Sequence, residues 1–293
     1  MNGVLDWASE GRDWPNRAAS RFLDAGGVRW HVQVMGDGPE LLLLHGTGAA
    51  THSWRDLAPL LARTHTVIAP DLPGHGFTSR PEQDSGFALP RVAAAVASLL
   101  KALAVAPHVV VGHSAGAAIG VRMALDGGHP PAGLIGLNAA LLPFPGPLGR
   151  WAPHLAKTLF FNPVTLSLFL RRASRPGAIK DLMRSTGSSL DTRGVDLYAR
   201  LFRSRSHLEA TVALMAHWDL VALKRDLPRL RGPLSLIVAE RDRAIPPDSA
   251  HVVRRLAPQA RIVRVPALGH LAHEESPELL AGLIQEAADR AAR

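Results

Sequence analysis

No cysteine occurs in the 293 residues, which excludes disulfides, thiolate zinc sites, iron–sulfur clusters and cysteine nucleophiles. Lysine is scarce too: of 33 basic residues only four are Lys, and the remainder are Arg. No uncharged apolar run approaches the roughly 18 residues that a membrane-spanning helix needs. The first residues, Met1-Asn2-Gly3-Val4-Leu5-Asp6-Trp7, lack a basic region followed by an apolar stretch, so no signal peptide is expected. Helix-turn-helix, zinc-finger and RNA-recognition signatures are missing as well, which disfavours nucleic acid as a partner despite a net charge of +8.

What is present describes a globular chain with a sizeable core, 47% hydrophobic and 20% charged. Over the first 140 residues short apolar runs alternate with helical stretches, the pattern of a mostly parallel sheet covered on both faces. Strands are expected at 28–35, 41–44, 66–69, 109–111, 134–137, 234–239 and 261–265. Helices are expected at 88–103, 115–125 and 247–256, and after Ser276-Pro277-Glu278, where Ser caps and Pro takes the first helical position.

Between 143 and 227 the alternation fails, and the composition turns helical, Pro-interrupted and aromatic. This stretch holds thirteen Lys+Arg against six Asp+Glu, hence most of the net charge. The division expected is an α/β core at 1–142 and 228–293 with a helical cap, or lid, at 143–227. Phe144, Trp151, Phe160, Phe161, Tyr198, Phe202 and Trp218 are the candidates to line an apolar pocket in that cap. The stretch 151–170, apolar and followed by Arg171-Arg172, also has the length of an interfacial segment, although Lys157 and Asn162-Pro163 prevent it from spanning a membrane.

The chemistry centres on Gly112-His113-Ser114-Ala115-Gly116. This is a G-x-S-x-G sequence placed between a strand and a helix, where a nucleophilic serine stands on a sharp turn and flanking side chains would collide. A hydroxyl needs a base, and the base needs an orienting acid. His270 follows the strand 261–265, and Asp242 follows the strand 234–239, with Glu240 and Asp248 as competing carboxylates. The chain order Ser114, Asp242, His270 fits a nucleophile, acid and base at the C-terminal ends of strands.

His45-Gly46-Thr47-Gly48 directly follows the strand 41–44, so the backbone N–H groups of Thr47 and Ala115 are the candidate oxyanion donors. Gly46-Thr47-Gly48 lacks the third glycine of a dinucleotide fingerprint, and no Walker lysine follows a glycine-rich loop. His270-Leu271-Ala272-His273-Glu274 is neither H-E-x-x-H nor its inverse, so neither a metal nor a cofactor is expected. His52, His75 and His113 read as turn or packing residues.

Taken together, the segments 41–48, 71–76 (Asp-Leu-Pro-Gly-His-Gly), 112–116 and Gly269-His270 resemble the α/β-hydrolase superfamily over about 20–142 and 228–290. Longer strings resemble the magnesium chelatase accessory proteins of bacteriochlorophyll biosynthesis: 13–17, 28–32, 45–55, 71–79 and 269–274. That resemblance implies a role in photosynthesis near insertion of Mg²⁺ into protoporphyrin IX, in the cytoplasm or peripheral to the photosynthetic membrane. The partners it implies are an apolar or anionic ligand such as a porphyrin, and the chelatase subunits. The residues themselves read as a serine hydrolase with an acyl-enzyme mechanism. A non-catalytic tetrapyrrole- or chelatase-binding module and a general carboxylesterase are the alternatives.

Overall fold

A computed structural model describes residues 5–127, 131–143, 175 and 177–292. Eight strands form one sheet: β1 Ser20–Ala25, β2 Val28–Met35, β3 Glu40–Leu44, β4 Thr66–Pro70, β5 Val109–His113, β6 Gly133–Leu137, β7 Leu234–Ala239 and β8 Ala260–Val265. Their spatial order is β1-β2-β4-β3-β5-β6-β7-β8. The β1–β2 and β2–β4 pairs are antiparallel, and every other pair is parallel.

The central strands read as unbroken apolar runs because both faces are covered. Along β3 the pleat deals alternate residues to opposite sides, Leu42 and Leu44 to one core cluster and Leu41 and Leu43 to the other. The first cluster receives the helix α1 Leu89–Ala102 through Val92, Val96 and Leu99, and the helix α2 Ala115–Asp126 through Ala118 and Ile119. The second receives the C-terminal helix Pro277–Ala291 through Leu280, Ile284 and Ala287. The mostly parallel, doubly covered sheet expected from the sequence is therefore the fold observed.

One strand was not foreseen. β1 forms a hairpin with β2, and Gly26 and Gly27 supply the positive φ of its turn, at +58° and +76°. Its sequence, Ser-Arg-Phe-Leu-Asp-Ala, is hidden from a hydrophobicity reading because it is an edge strand with charged residues facing solvent.

The described part of the interval between β6 and β7 is helical: α3 Ala178–Ser185, α4 Thr192–Arg203, α5 Arg205–Ala216 and α6 Leu220–Asp226. Three of these open on a capping side chain that accepts a backbone N–H: Asp191 from Gly194, Ser204 from His207, and Asp219 from Ala222. Phe144, Trp151, Phe160, Phe161 and the stretch 151–170 lie outside the described residues.

Candidate active site

The loops after β3, β5, β7 and β8 converge at the C-terminal edge of the parallel strands. Ser114 lies at the β5–α2 junction with φ +49° and ψ −112°, a strained conformation for a residue with a side chain. Its N–H donates to the Leu137 carbonyl at 2.9 Å, and its carbonyl accepts from Ala140 N–H at 3.0 Å. The turn admits nothing larger than glycine on either side. A Cβ at Gly112 would lie 2.3 Å from the Ala117 nitrogen, and one at Gly116 would lie 2.0 Å from the Leu44 carbonyl oxygen.

His270 Nδ1 lies 2.8 Å from Asp242 Oδ2, and both side chains are almost wholly enclosed. The other carboxylate oxygen of Asp242 accepts backbone N–H groups from Ala244 at 2.7 Å and Ile245 at 2.9 Å. Of the three carboxylates considered for this place, Asp242 is the one that meets His270. Glu240 and Asp248 both turn toward Arg264 at the surface.

Gly46 packs against the serine turn so closely that a Cβ there would be 2.7 Å from His113 Nδ1 and 3.3 Å from the Ser114 Cβ. Glycine at this place lets the β3 loop approach the serine. Thr47 is half-buried beside it, and Ala115 is the first residue of α2, where an N–H has no acceptor within the helix. Gly48 turns with φ +76°, and a Cβ there would be 3.3 Å from the Phe202 ring.

Histidines shape this loop. His45 Nε2 accepts the Leu72 N–H at 2.9 Å, so its Nδ1 carries the proton and donates to the Gly46 carbonyl at 2.8 Å. His207, from α5, accepts the Gly76 N–H on Nδ1 and donates from Nε2 to the Gly48 carbonyl, each at 3.1 Å. Burial lowers the pKa of His45, holds that of His75 well below its ordinary value, and brings His207 down to about 4.

Asp71, from the 71–76 string, is fully buried and accepts from Thr51 N–H at 2.6 Å and Phe77 N–H at 2.9 Å, besides contacting His31 at 2.7 Å. Burial opposes its charge, but His31 and the Phe77 N–H outweigh it, and its pKa falls well below the usual carboxylate range.

A second polar cluster lies one turn beyond His270. Glu274 is buried against Arg55, and its Oε1 accepts from the hydroxyls of Ser53 at 2.7 Å and Tyr198 at 2.8 Å. His273 Nε2 meets Ser53 Oγ at 2.8 Å. Burial raises the Glu274 pKa despite the Arg55 cation. Tyr198 therefore has a polar partner in the core as well as an apolar setting with Phe202, Ile179, Met183 and Leu271. Trp218 packs elsewhere, against the main core cluster, and is not brought together with Tyr198 and Phe202. His52 stacks edge-on to Tyr198 at 4.5 Å, and His113 lies 4.7 Å from the His270 ring.

Sequence reasoning did not single out Arg55, Asp71 or His207 as supports of the site. Arg55 and Glu274 do fall inside two of the longer strings, 45–55 and 269–274, which now prove to be in contact. The signal was therefore present, but one-dimensional.

The fold and the geometry of this edge define an α/β hydrolase, and the chain belongs to the alpha/beta hydrolase family, whose model matches residues 41–283. Among curated proteins it is 39% identical over 274 residues to the Magnesium-chelatase 30 kDa subunit of Rhodobacter capsulatus, covering 93% of this chain and 95% of that protein. It is 30% identical over 253 residues to the pyrrolizixenacetamide deacetylase of Xenorhabdus hominickii, covering 84% of this chain and 89% of that one. Among solved structures, Cfl2 of Burkholderia cenocepacia superposes with a TM-score of 0.75 at 26% identity, over 91% of this chain and 94% of that one.

Proposed function

We propose that this protein is a serine hydrolase of an apolar acyl substrate that serves magnesium chelatase as an accessory in bacteriochlorophyll biosynthesis. The observation that carries the hydrolase reading is the pairing of a strained Ser114 turn with a His270–Asp242 hydrogen bond of 2.8 Å at the same sheet edge. Ser114 Oγ attacks the acyl carbonyl while His270 Nε2 takes its proton. The Nδ1–H of His270 stays directed at Asp242, which fixes the tautomer and balances the imidazolium that forms. The N–H groups of Thr47 and Ala115 receive the oxyanion. Collapse of the tetrahedral intermediate expels the alcohol or thiol, protonated by His270, and water then repeats the sequence on the acyl-enzyme.

The residues 143–227 act in this reading as a cap over the site, with Tyr198 and Phe202 on its apolar inner side. The accessory role rests on a likeness of 39% that extends over almost all of both chains, rather than over the hydrolase motifs alone. The same likeness supports a second reading, a non-catalytic module that binds a tetrapyrrole or the chelatase itself.

Treatment with a fluorophosphonate probe tests the hydrolase reading. Wild-type protein should be labelled at Ser114, and Ser114→Ala should not be labelled while keeping its melting temperature. An unlabelled, folded wild type would defeat it. Pigment formation in a bacteriochlorophyll-producing deletion strain separates the two readings, since full rescue by Ser114→Ala means that the accessory role does not use the hydroxyl.

A further inference from the structure

We propose that Asn138 is a positioning residue that holds the His270 loop, the Asp242 strand and the Ser114 turn in one frame. The inference rests on the serine-hydrolase reading above. Asn138 follows β6 directly, is 3% exposed, and has φ +45°. This left-handed conformation is resisted by most side chains and accepted by Asn more readily than by nearly any other.

Its backbone N–H and both polar atoms of its side chain are committed. Its N–H donates to the Ile237 carbonyl at 2.9 Å, and its Oδ1 accepts the Ala239 N–H at 2.8 Å, three residues before Asp242. Its Nδ2 donates to the His270 carbonyl at 2.9 Å and to the Gly269 carbonyl at 3.1 Å. The His270 carbonyl accepts a further bond, at 2.9 Å, from Nε2 of His113, the residue next to Ser114. Leu137 and Ala140, on either side of Asn138, hold the backbone N–H and carbonyl of Ser114.

One side chain therefore bonds the backbone of the His270 loop and the end of the strand that leads into Asp242, while Leu137 beside it and Ala140 two residues on hold the Ser114 turn. The position needs two donors directed at adjacent carbonyls, one acceptor, and tolerance of a positive φ; a primary amide on a short stem meets all three. Aspartate would set a carboxylate against two carbonyl oxygens, and glycine would keep the backbone shape while removing every side-chain bond.

That contrast makes Asn138→Gly the test. The first readout needs no turnover: proton NMR of the His270 Nδ1–H directed at Asp242. The second is steady-state hydrolysis of p-nitrophenyl butyrate. In Asn138→Gly, with a cooperative melt retained, the Nδ1–H should exchange with water at least tenfold faster than in wild type, and kcat should fall at least tenfold with KM within threefold. Should Asn138→Gly not fold, Asn138→Ser, which keeps one short donor, takes its place under the same two readouts. A variant that matches wild type in Nδ1–H exchange overturns the proposal. If wild type does not hydrolyse this ester, the exchange rates alone decide the role of Asn138, and the fluorophosphonate labelling decides the serine-hydrolase reading.

Discussion

A methyl group is enough to test the serine turn. Ala in place of Gly116 would set its Cβ 2.0 Å from the carbonyl oxygen of Leu44, a backbone atom in the centre of the sheet that cannot move aside. Gly116→Ala should therefore lose ~3 kcal/mol or more of stability, read as a lowered midpoint in urea, and a loss below about 1 kcal/mol would mean that the turn is looser than it looks. Asp242 offers a sharper chemical probe. Asn at this position can still accept the Ala244 and Ile245 N–H groups through Oδ1, so the loop keeps its shape. Its amide, however, faces His270 Nδ1 as a donor and forces the ring proton onto Nε2, where a base is needed. Asp242→Asn should cut kcat by about 10³–10⁴ with little change in melting temperature. A variant within tenfold of wild type would remove Asp242 from the proposed mechanism.

At the scale of elements, the β3 loop, the segment after β8 and α4 meet in the buried Glu274 cluster. Arg55 contacts Asp191 at the start of α4 as well as Glu274, and Tyr198 comes from the middle of the same helix. Glu274→Gln leaves the Arg55 cation enclosed without its main counter-charge, and breaking such a pair from one side costs about 3–5 kcal/mol. Tyr198→Phe removes a single hydrogen bond and should cost about 1 kcal/mol. Hydrogen exchange resolved along the chain should show faster exchange in α4 for both variants, more in Glu274→Gln. Unchanged α4 protection would show that this helix is held by apolar packing alone.

The same region shows what could be read in advance. The parallel strands were legible because burial on both faces leaves no polar residue in runs such as 41–44. The strand ends that carry Ser114, Asp242 and His270 were legible from the same alternation of elements, although β7 includes Ser235 and β8 includes Arg261 and Arg264. The Glu274 cluster was not, since Ser53 and Arg55 lie more than 200 residues from Glu274 and Tyr198 lies 76 away, and they join only when the sheet brings its loops to one edge. Asn138 was hidden for a different reason: one polar residue after a strand looks like the start of a surface loop until its burial is known.

For the whole molecule, the concentration of positive charge in 143–227 bears on what that segment can offer a ligand. Part of it is already engaged within the chain. Arg200 pairs with Asp13 at 2.7 Å and draws the Asp13 pKa down to about 2, tying α4 to the N-terminal segment. Acid stability depends on a different population, the buried neutral histidines. Burial lowers the pKa of His45, His52, His75 and His113, and takes His207 to about 4 and His273 to about 3. In the unfolded chain each of these rings takes up its proton near the ordinary value of about 6.5. Between that pH and the folded-state values, the unfolded state binds more protons than the folded one. Stability must then rise with pH across the window and be lost as pH falls through it. Asp71, held low, keeps its charge across this window, and its contribution is lost in the same direction once the pH falls through the usual carboxylate range. Each ring adds up to about 1.4 kcal/mol per pH unit, so several together should make the acid transition steep. The melting temperature should fall markedly between pH 7 and pH 5, and His207→Asn should flatten that slope, because an amide can replace both ring contacts without titrating. A melting temperature constant from pH 7 to pH 5 would mean that these rings admit protons in the folded state, and that the core around the β3 loop is more open than its hydrogen bonds imply.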